Sequence, residues 1–383
     1  MNNFLTKQYK KDNLFKIRHN YLQKQFKDVE IDILESVKKL LRSCDFTLGN
    51  SVIKFENKVK KFLKAKYVVS VGSGTDALML SLKAANVKEG DEVITTPYTF
   101  YATIGAIVTA GAKPVFVDIK EDFNLNEKLI EEKITKKTKA ILPVHWAGKI
   151  CEMSHITKIA KKYNLKVIED SCHAILAKKN GKFAGNFSDF GCFSMHPLKN
   201  LNICGDGGFI IVKSKKDYYN LCLLRNHGLI NRNVNKIFAY NSRLDSLQAN
   251  IGLIMLKKIK NITKKRIENS NYLDNTLIKN KNLIITKRVV NTVEVFHLYQ
   301  FRVKSIKIRN KLLNFLNKKG IDAKIHYPIP MHLQPASKKY GYKPGDFPKA
   351  ENACNTSLSL PVHEFITKKE LKYMGEMVKK FFK

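Results

Sequence analysis

Short runs of β-branched and aliphatic residues alternate with helical patterns of apolar residues from about residue 66 to residue 213. The runs predict strands at 67–71, 92–95, 114–118, 140–144, 166–169, 190–194 and 208–212. Helices are predicted between them at 76–85, 99–110, 126–134 and 154–163. This alternation is typical of an α/β fold, in which helices sandwich a mainly parallel sheet, here of seven strands.

The hydrophobic pattern changes after residue 241. Apolar residues spaced three and four apart from Leu244 to Ile262 predict one long helix that bridges two domains. The elements predicted beyond it are a strand at 296–303, a helix at 308–319, a Pro-rich loop at 327–335 and a helix from Thr367. They form a smaller C-terminal α/β domain.

These patterns divide the chain into three parts. We predict a polar N-terminal arm at 1–25, a large domain at 26–240, and the linking helix with the small domain at 241–383. The helix predicted at 29–41 belongs to the large part and is a candidate to pack on the small domain.

Composition narrows the class of protein. The chain has 383 residues, 44% of them hydrophobic, which is enough for a large core. The seven cysteines include no C-x-x-C pair, and no apolar run approaches the length of a membrane span. We therefore expect a cytoplasmic protein with no membrane partner and no metal site.

The net charge of +36 would ordinarily indicate a nucleic-acid partner. However, nine of the 69 basic residues are Arg, the residue on which base and phosphate recognition relies most, and the lysines are spread evenly. We expect no nucleic-acid partner.

The first candidate for chemistry is the turn at 72–75, Gly-Ser-Gly-Thr, which leaves a predicted strand and enters a predicted helix. Backbone N–H groups at a helix N-terminus bind anions, so a phosphate is the expected ligand. The turn also fits a relaxed dinucleotide fingerprint, but residues 94–98 lack the acidic residue that would bind the ribose. A tight turn with no ligand is the remaining alternative.

Two further candidates follow predicted strands. Asp170 ends an apolar strand at the sheet edge where open α/β folds bind ligands, and a carboxylate there would keep a pyridine nitrogen protonated. Lys199 lies among apolar residues, where burial lowers the pKa of an ammonium and makes the amine nucleophilic. Taken alone, a lysine is by default a solvated surface group, and His173 beside Asp170 is as readily a hydrogen-bonded core histidine.

The turn, Asp170 and Lys199 together offer contacts for a phosphate, a ring nitrogen and an aldehyde. One cofactor carries all three groups, pyridoxal 5′-phosphate (PLP), which proteins hold through a Schiff-base lysine and an acidic partner for the ring nitrogen.

Ordered blocks along almost the whole chain resemble the DegT/DnrJ/StrS family of sugar aminotransferases, which are PLP-dependent transferases of fold type I. The blocks are GSGTDAL (72–78), GDEVITTPYTF (90–100), GAKPVFVDI (111–119), IEDSCHA (168–174), FSMHPLKNLN (193–202), GDGG (205–208), RNHG (225–228), NSRLD (241–245) and HYPIPMHLQP (326–335). The family's Gly two residues before Asn241 is Ala239 here.

The resemblance implies roles for individual residues. Lys199 would form the Schiff base, Asp170 would hold the ring nitrogen, and His173 would lie beside the ring hydroxyl. The other implied contacts are Gly74, Thr75 and Ser194 to the phosphate, Asn241 to the phosphate from the neighbouring subunit, Phe100 on the pyridine ring, and His326, Tyr327 and His332 on the sugar side. A homodimer with its sites at the interface is implied as well.

The implied activity is transamination, because the family's dehydratase branch has His where this chain has Lys199. By resemblance, L-glutamate donates an amino group to a ketosugar on a nucleoside diphosphate, in amino-sugar, lipopolysaccharide or other surface-polysaccharide biosynthesis. Two alternatives stay open at this point. One is a PLP aminotransferase of a free ketosugar or a sugar phosphate, and the other is a non-enzymatic regulatory relative that binds polyanions.

Overall fold

The computed structural model describes residues 15–383. Its strands are β1 (Tyr67–Val71), β2 (Glu92–Thr95), β3 (Lys113–Phe116), β4 (Thr138–Ile141), β5 (Lys166–Asp170), β6 (Lys178–Lys179), β7 (Lys182–Phe183), β8 (Phe190–Ser194), β9 (Gly208–Val212), β10 (Leu283–Ile285), β11 (Thr292–Val293), β12 (Tyr299–Val303) and β13 (Ser357–Leu360). Its helices are α1 (Leu22–Lys27), α2 (Glu30–Ser43), α3 (Asn50–Leu63), α4 (Gly74–Ala84), α5 (Tyr101–Thr109), α6 (Met153–Lys162), α7 (Lys215–Leu224), α8 (Ser246–Leu277), α9 (Ile306–Lys318), α10 (Pro348–Thr356) and α11 (Lys368–Phe381).

The large sheet has seven strands in the order β1-β9-β8-β5-β4-β2-β3. The pairs from β8 to β3 are parallel, whereas β9 runs antiparallel to both of its neighbours. The carboxyl ends of β5 and β8 therefore meet at one edge of the sheet, which brings Asp170 and Ser194 to the same side. The predicted mainly parallel, seven-stranded sheet is confirmed.

Alternate residues of the strands enter different hydrophobic cores. Val69 and Val71 pack with α4 and α5 on one face, while Val68, just before them, packs with α3 and α8 on the other. This follows from the two-residue period of a strand, in which successive side chains point to opposite faces. Helices accordingly cover the sheet on both sides.

The predicted helix at 126–134 is wrong. The structure has two 3₁₀ turns there, Glu127–Leu129 and Glu131–Lys133, with hydrogen bonds that span three residues. The side chain of Asn126 accepts a hydrogen bond from the amide of Lys128 at 3.2 Å and tightens the first turn. Short segments with such local competition for backbone groups favour 3₁₀ geometry.

A smaller sheet, β10-β12-β13, is antiparallel and packs with α9 and α11. Helix α8 links the two parts, because Ile251 and Ile259 lie in the core of the large sheet and Leu273 and Leu277 lie in the core of the small one. The bounds predicted for the domains stay a prediction. The predicted strand at 296–303 begins only at Tyr299, since Phe296 has a φ of +46°, outside the extended region.

The N-terminal part of the described chain is packed. Helix α2 lies against α8, with Val29 in the core of the large sheet. Ile17 pairs with Ile321 in an isolated parallel bridge and is buried in the core of the small sheet. Residues 1–14 of the predicted arm lie outside the described residues. No helix within 15–383 is long and apolar enough to cross a membrane.

Candidate active site

Asp170 ends β5 and is buried. Its Oδ2 accepts a hydrogen bond from the hydroxyl of Thr103 at 2.9 Å, and its Oδ1 accepts one from the amide of Cys172 at 3.2 Å. The hydroxyls of Thr103 and Thr99 are 2.7 Å apart. Thr103 in α5 and Thr99 just before that helix therefore fix the carboxylate of Asp170. No sequence pattern indicates this role of Thr103.

The neighbouring Glu169 stabilises this strand end from the opposite face of the sheet. Its carboxylate is fully buried and accepts hydrogen bonds from His145 Nε2 at 2.9 Å, from the Ser188 hydroxyl at 2.7 Å and from the Gly185 amide at 2.8 Å. Burial alone would raise the pKa of Glu169, but these hydrogen bonds hold that pKa below its ordinary value. The partners of the Glu169 carboxylate therefore give it a structural role.

Lys199 follows β8 in a loop and is half-buried, and its amide donates to the carbonyl of His196 at 2.8 Å. Burial lowers the pKa of the Lys199 ammonium, although the charges of Cys172 and Asp170 oppose this. The structure thus brings the predicted lysine and the predicted aspartate within electrostatic reach of each other, in a setting where burial makes the ammonium easier to deprotonate.

The glycine turn lies against the end of β8. Helix α4 begins at Gly74, and the Ser73 hydroxyl accepts a hydrogen bond from the Asp76 amide at 3.0 Å. The amides of Gly74 and Thr75 lie in the first turn, where an α-helix offers no carbonyl partner. A Cβ at Gly74 would lie 2.6 Å from Ser194 Cβ and 3.1 Å from Cys172 Sγ, so only glycine leaves this cradle open.

His173 is buried three residues after Asp170, and its ring centroid lies 4.1 Å from that of His297 and 5.3 Å from that of Trp146. Its Nδ1 has no hydrogen-bond partner in the described chain. Burial and the charges of Lys199 and His326 lower the pKa of His173 well below its ordinary value. No sequence signal indicated His297, which lies more than a hundred residues away along the chain.

Three aromatic side chains form the exposed side of this region. The Phe100 ring lies 5.1 Å from Tyr101 and 5.8 Å from Tyr327, measured between centroids, and Phe100 is 44% exposed. The Tyr327 ring also lies 5.8 Å from the Trp146 ring, measured between centroids. Burial raises the pKa of Tyr327, and the charge of Asp170 raises it further. Phe100 and Tyr327, both predicted, therefore lie together.

His326 lies beside Tyr327. Its Nδ1 is 3.1 Å from the Ser359 hydroxyl, and burial with the charges of Lys324 and Lys199 lowers the pKa of His326 to about 4. His332 lies in other surroundings: its Nε2 is 3.0 Å from Glu351 Oε1, and its ring packs on Phe347. His332 is thus held by a carboxylate and a core ring, apart from His326 and Tyr327, and its role on the sugar side stays a prediction.

The side chain of Asn241 is exposed and makes no hydrogen bond to any described residue of this chain. Its neighbour Ser242 accepts a hydrogen bond from the amide of Gly72 at 2.9 Å, which fixes the backbone beside the glycine turn. The structure therefore does not join Asn241 to the other candidates within one chain.

The residues present fit PLP. The open cradle at Gly74 suits a phosphate, the buried carboxylate of Asp170 suits a protonated ring nitrogen, and the unpartnered Nδ1 of His173 offers a polar contact to a ring substituent. The lowered pKa of Lys199 suits an amine that reacts with an aldehyde.

This sheet, with a lysine and an aspartate near the ends of its parallel strands, defines the class of PLP-dependent transferases of fold type I. The sequence matches the DegT/DnrJ/EryC1/StrS aminotransferase family over residues 27–379, and the chain belongs to that family.

Named relatives cover almost the whole chain. It is 38% identical over 365 residues to the pleiotropic regulatory protein of Geobacillus stearothermophilus, covering 94% of this chain and 97% of that protein. It is 38% identical over 352 residues to the dTDP-3-amino-3,6-dideoxy-alpha-D-galactopyranose transaminase of Aneurinibacillus thermoaerophilus, covering 91% and 95%. The crystal structure of S. venezuelae DesV in complex with a ketimine intermediate superposes with a TM-score of 0.92 at 29% identity, covering 95% and 98%.

Other similar structures were solved with PLP or with pyridoxamine phosphate. The predictions of the family, the fold class, the PLP cofactor and a sugar aminotransferase are therefore confirmed. The roles assigned to individual residues stay predictions.

Proposed function

We propose that this enzyme transfers an amino group from L-glutamate to the keto group of a deoxy-ketosugar linked to a nucleoside diphosphate, in amino-sugar and surface-polysaccharide biosynthesis. The observation that carries the proposal is that Cys172 connects three groups. Its amide donates to Asp170 and its Sγ borders the open cradle at Gly74. Cys172 and Asp170 both interact electrostatically with the Lys199 amine, whose pKa is lowered. The name of the Aneurinibacillus relative, which specifies a dTDP-linked sugar, supports the nucleotide-linked substrate.

Three groups of residues would hold the cofactor. The amides of Gly74 and Thr75 and the hydroxyl of Ser194 bind its phosphate, Asp170 pairs with its ring nitrogen, and the remaining contacts come from Phe100 and His173. Thr103 and the amide of Cys172 keep the Asp170 carboxylate in one orientation. Bound PLP supplies an aldehyde that takes up an amino group and a protonated ring that accepts electron density.

Lys199 moves the proton. Because burial lowers its pKa, a larger share of this amine is neutral near neutral pH than for an exposed lysine. The neutral Nζ would take the proton from the α-carbon of the donor and release it again within the first half of the reaction. In the second half the same Nζ would deliver a proton to the sugar carbon.

The sugar side lies next to the aromatic residues. Tyr327 offers a hydroxyl beside Phe100 and Asp170, and His326 is largely neutral because its pKa is about 4, so both present neutral polar groups suited to sugar hydroxyls.

We also propose a homodimer in the cytoplasm, in which Asn241 reaches the phosphate site of the partner. The segment that leads to Asn241 exposes large apolar side chains, since Phe238 is fully exposed and Ile230 is 50% exposed. The seven cysteines are free thiols, which supports a reducing compartment.

A reaction panel tests the proposed function. The PLP-loaded protein and L-glutamate are incubated with one acceptor at a time. The acceptors are nucleotide-linked ketosugars, the matching sugar phosphates and the free ketosugars, and the products are identified by mass. Amination only of nucleotide-linked substrates supports the proposal, and amination only of the other two overturns it. A protein that aminates nothing but binds polyanions in a salt-sensitive way would be the regulatory alternative.

A further inference from the structure

The residues just before α1 and within it join the two cores of the molecule. The amide of Ile17 donates to the carbonyl of Gly320 at 2.9 Å, and the amide of Asp322 donates to the carbonyl of Ile17 at 2.8 Å. These bonds tie the segment to the small sheet. The other end of the segment, Gln25, reaches the loop that carries Lys199.

Gln25 is 9% exposed and uses both ends of its side-chain amide. Its Nε2 donates to Glu364 Oε1 at 2.8 Å, and its Oε1 accepts from Asn202 Nδ2 at 2.7 Å. Because an ionised carboxylate only accepts hydrogen bonds, Glu364 fixes which way the amide of Gln25 faces. The oxygen of Gln25 is thereby directed at Asn202.

Asn202 closes the lysine loop. It is 1% exposed, and its Nδ2 also donates to the carbonyl of Pro197 at 2.7 Å. Both hydrogens of that amide are therefore used, one within the loop and one on Gln25. Lys199 lies between Pro197 and Asn202, the two ends of the loop that this hydrogen bond closes.

We propose that Gln25 is a positioning residue for Lys199: through Asn202 it fixes the loop from Pro197 to Asn202 and with it the direction from which the amine reaches the cofactor. Without Gln25, one buried N–H of Asn202 lacks a partner and the loop can rearrange to satisfy it. Misplacement of a reacting group by about 1 Å can cost about 100-fold in rate. This inference rests on the proposed role of Lys199.

The test measures capture of PLP by Lys199 and needs no sugar. A C=N bond forms between Nζ and the aldehyde carbon as water leaves, and hydride from borohydride then reduces that bond, so the modified peptide is quantified by mass. We expect Gln25→Ala to slow capture about 10- to 100-fold and to speed hydrogen exchange of residues 198–203. Gln23→Ala, an exposed glutamine on the same helix, is the control and keeps the original rate.

A charge exchange separates positioning from general stability. Gln25→Glu places two carboxylates together and slows capture, whereas Gln25→Glu with Glu364→Gln restores a donor and an acceptor in the reverse arrangement. We expect this double variant to return within about threefold of the original rate. Recovery supports the inference, and a double variant as slow as Gln25→Glu overturns it.

If Gln25→Ala captures PLP on Lys199 at a rate within about twofold of that of the unaltered protein, the inference is also overturned. If that variant does not fold, Gln25→Met, which keeps the side-chain length, is judged by the same criterion. Failure of the proposed function looks different, because the unaltered protein would then capture PLP on Lys199 yet aminate no ketosugar.

Discussion

The imidazole rings of His173 and His297 lie with their centroids 4.1 Å apart and their planes at 31°. The Nδ1 atoms of both rings lack a hydrogen-bond partner in the described chain. Burial is the main reason that the pKa of each ring lies well below its ordinary value, and the charge of Lys199 lowers both further. Two neutral imidazoles therefore lie next to the proposed reactive amine.

This pair makes stability sensitive to acid. The unfolded chain protonates histidine near pH 6.5, whereas the folded chain resists protonation, so stability is fully present above about pH 6.5 and falls as the pH drops below it. Each suppressed protonation contributes at most about 1.4 kcal/mol per pH unit. We expect His297→Phe to reduce the loss of unfolding free energy between about pH 7.5 and about pH 5.5, measured by urea titration without added PLP.

His155→Phe is the control for that experiment, because His155 is exposed on α6. It should leave the pH dependence unchanged. Identical slopes for the two variants and the unaltered protein would contradict the assignment.

Thr103→Val tests how Asp170 is held. The substitution removes the hydroxyl that donates to Asp170 Oδ2 at 2.9 Å and keeps the side-chain volume. A hydrogen bond to a charged group contributes about 1.5–3 kcal/mol, so we expect PLP to bind about 10- to 150-fold more weakly in an absorbance titration. Thr109→Val, at the exposed end of α5, should bind PLP as tightly as the unaltered protein. Equal affinities for both variants would show that Thr103 is dispensable.

Sequence alone predicted the parts of the site that are fixed by local pattern. Asp170 and Lys199 follow apolar strands, and parallel strands bring their carboxyl ends to one edge, so their proximity follows from the topology. The contacts of Thr103, His297 and Gln25 depend on how separate elements pack, and no spacing along the chain encodes that. The wrong prediction of a helix at 126–134 has a related cause, because the side chain of Asn126 accepts a hydrogen bond from the nearby amide of Lys128.

Lys199→Ala should abolish amino transfer, with a loss of at least about 10²- to 10⁴-fold in kcat, because no other group described at the site has the lowered pKa of a buried amine within reach of Asp170. Lys213→Ala is the matched control: burial also lowers the pKa of Lys213, but that lysine lies just after β9. Product formation from glutamate is measured for both. Residual transfer at the original rate in Lys199→Ala would place the reactive amine elsewhere.

Mixed dimers test whether Asn241 serves the partner's site. We consider a hybrid of one Lys199→Ala subunit and one Asn241→Ala subunit. If each site combines Lys199 of one subunit with Asn241 of the other, one site of this hybrid lacks both groups and the other site keeps both. We therefore expect the doubly tagged hybrid, purified on both tags, to show about half the activity of the unaltered dimer, while each homodimer of a single variant stays impaired. If Asn241 served its own chain, the two lesions would fall in separate sites and the hybrid would stay as inactive as its parents. The exposed side chain of Asn241, unpaired within the described part of its own subunit, favours the first outcome.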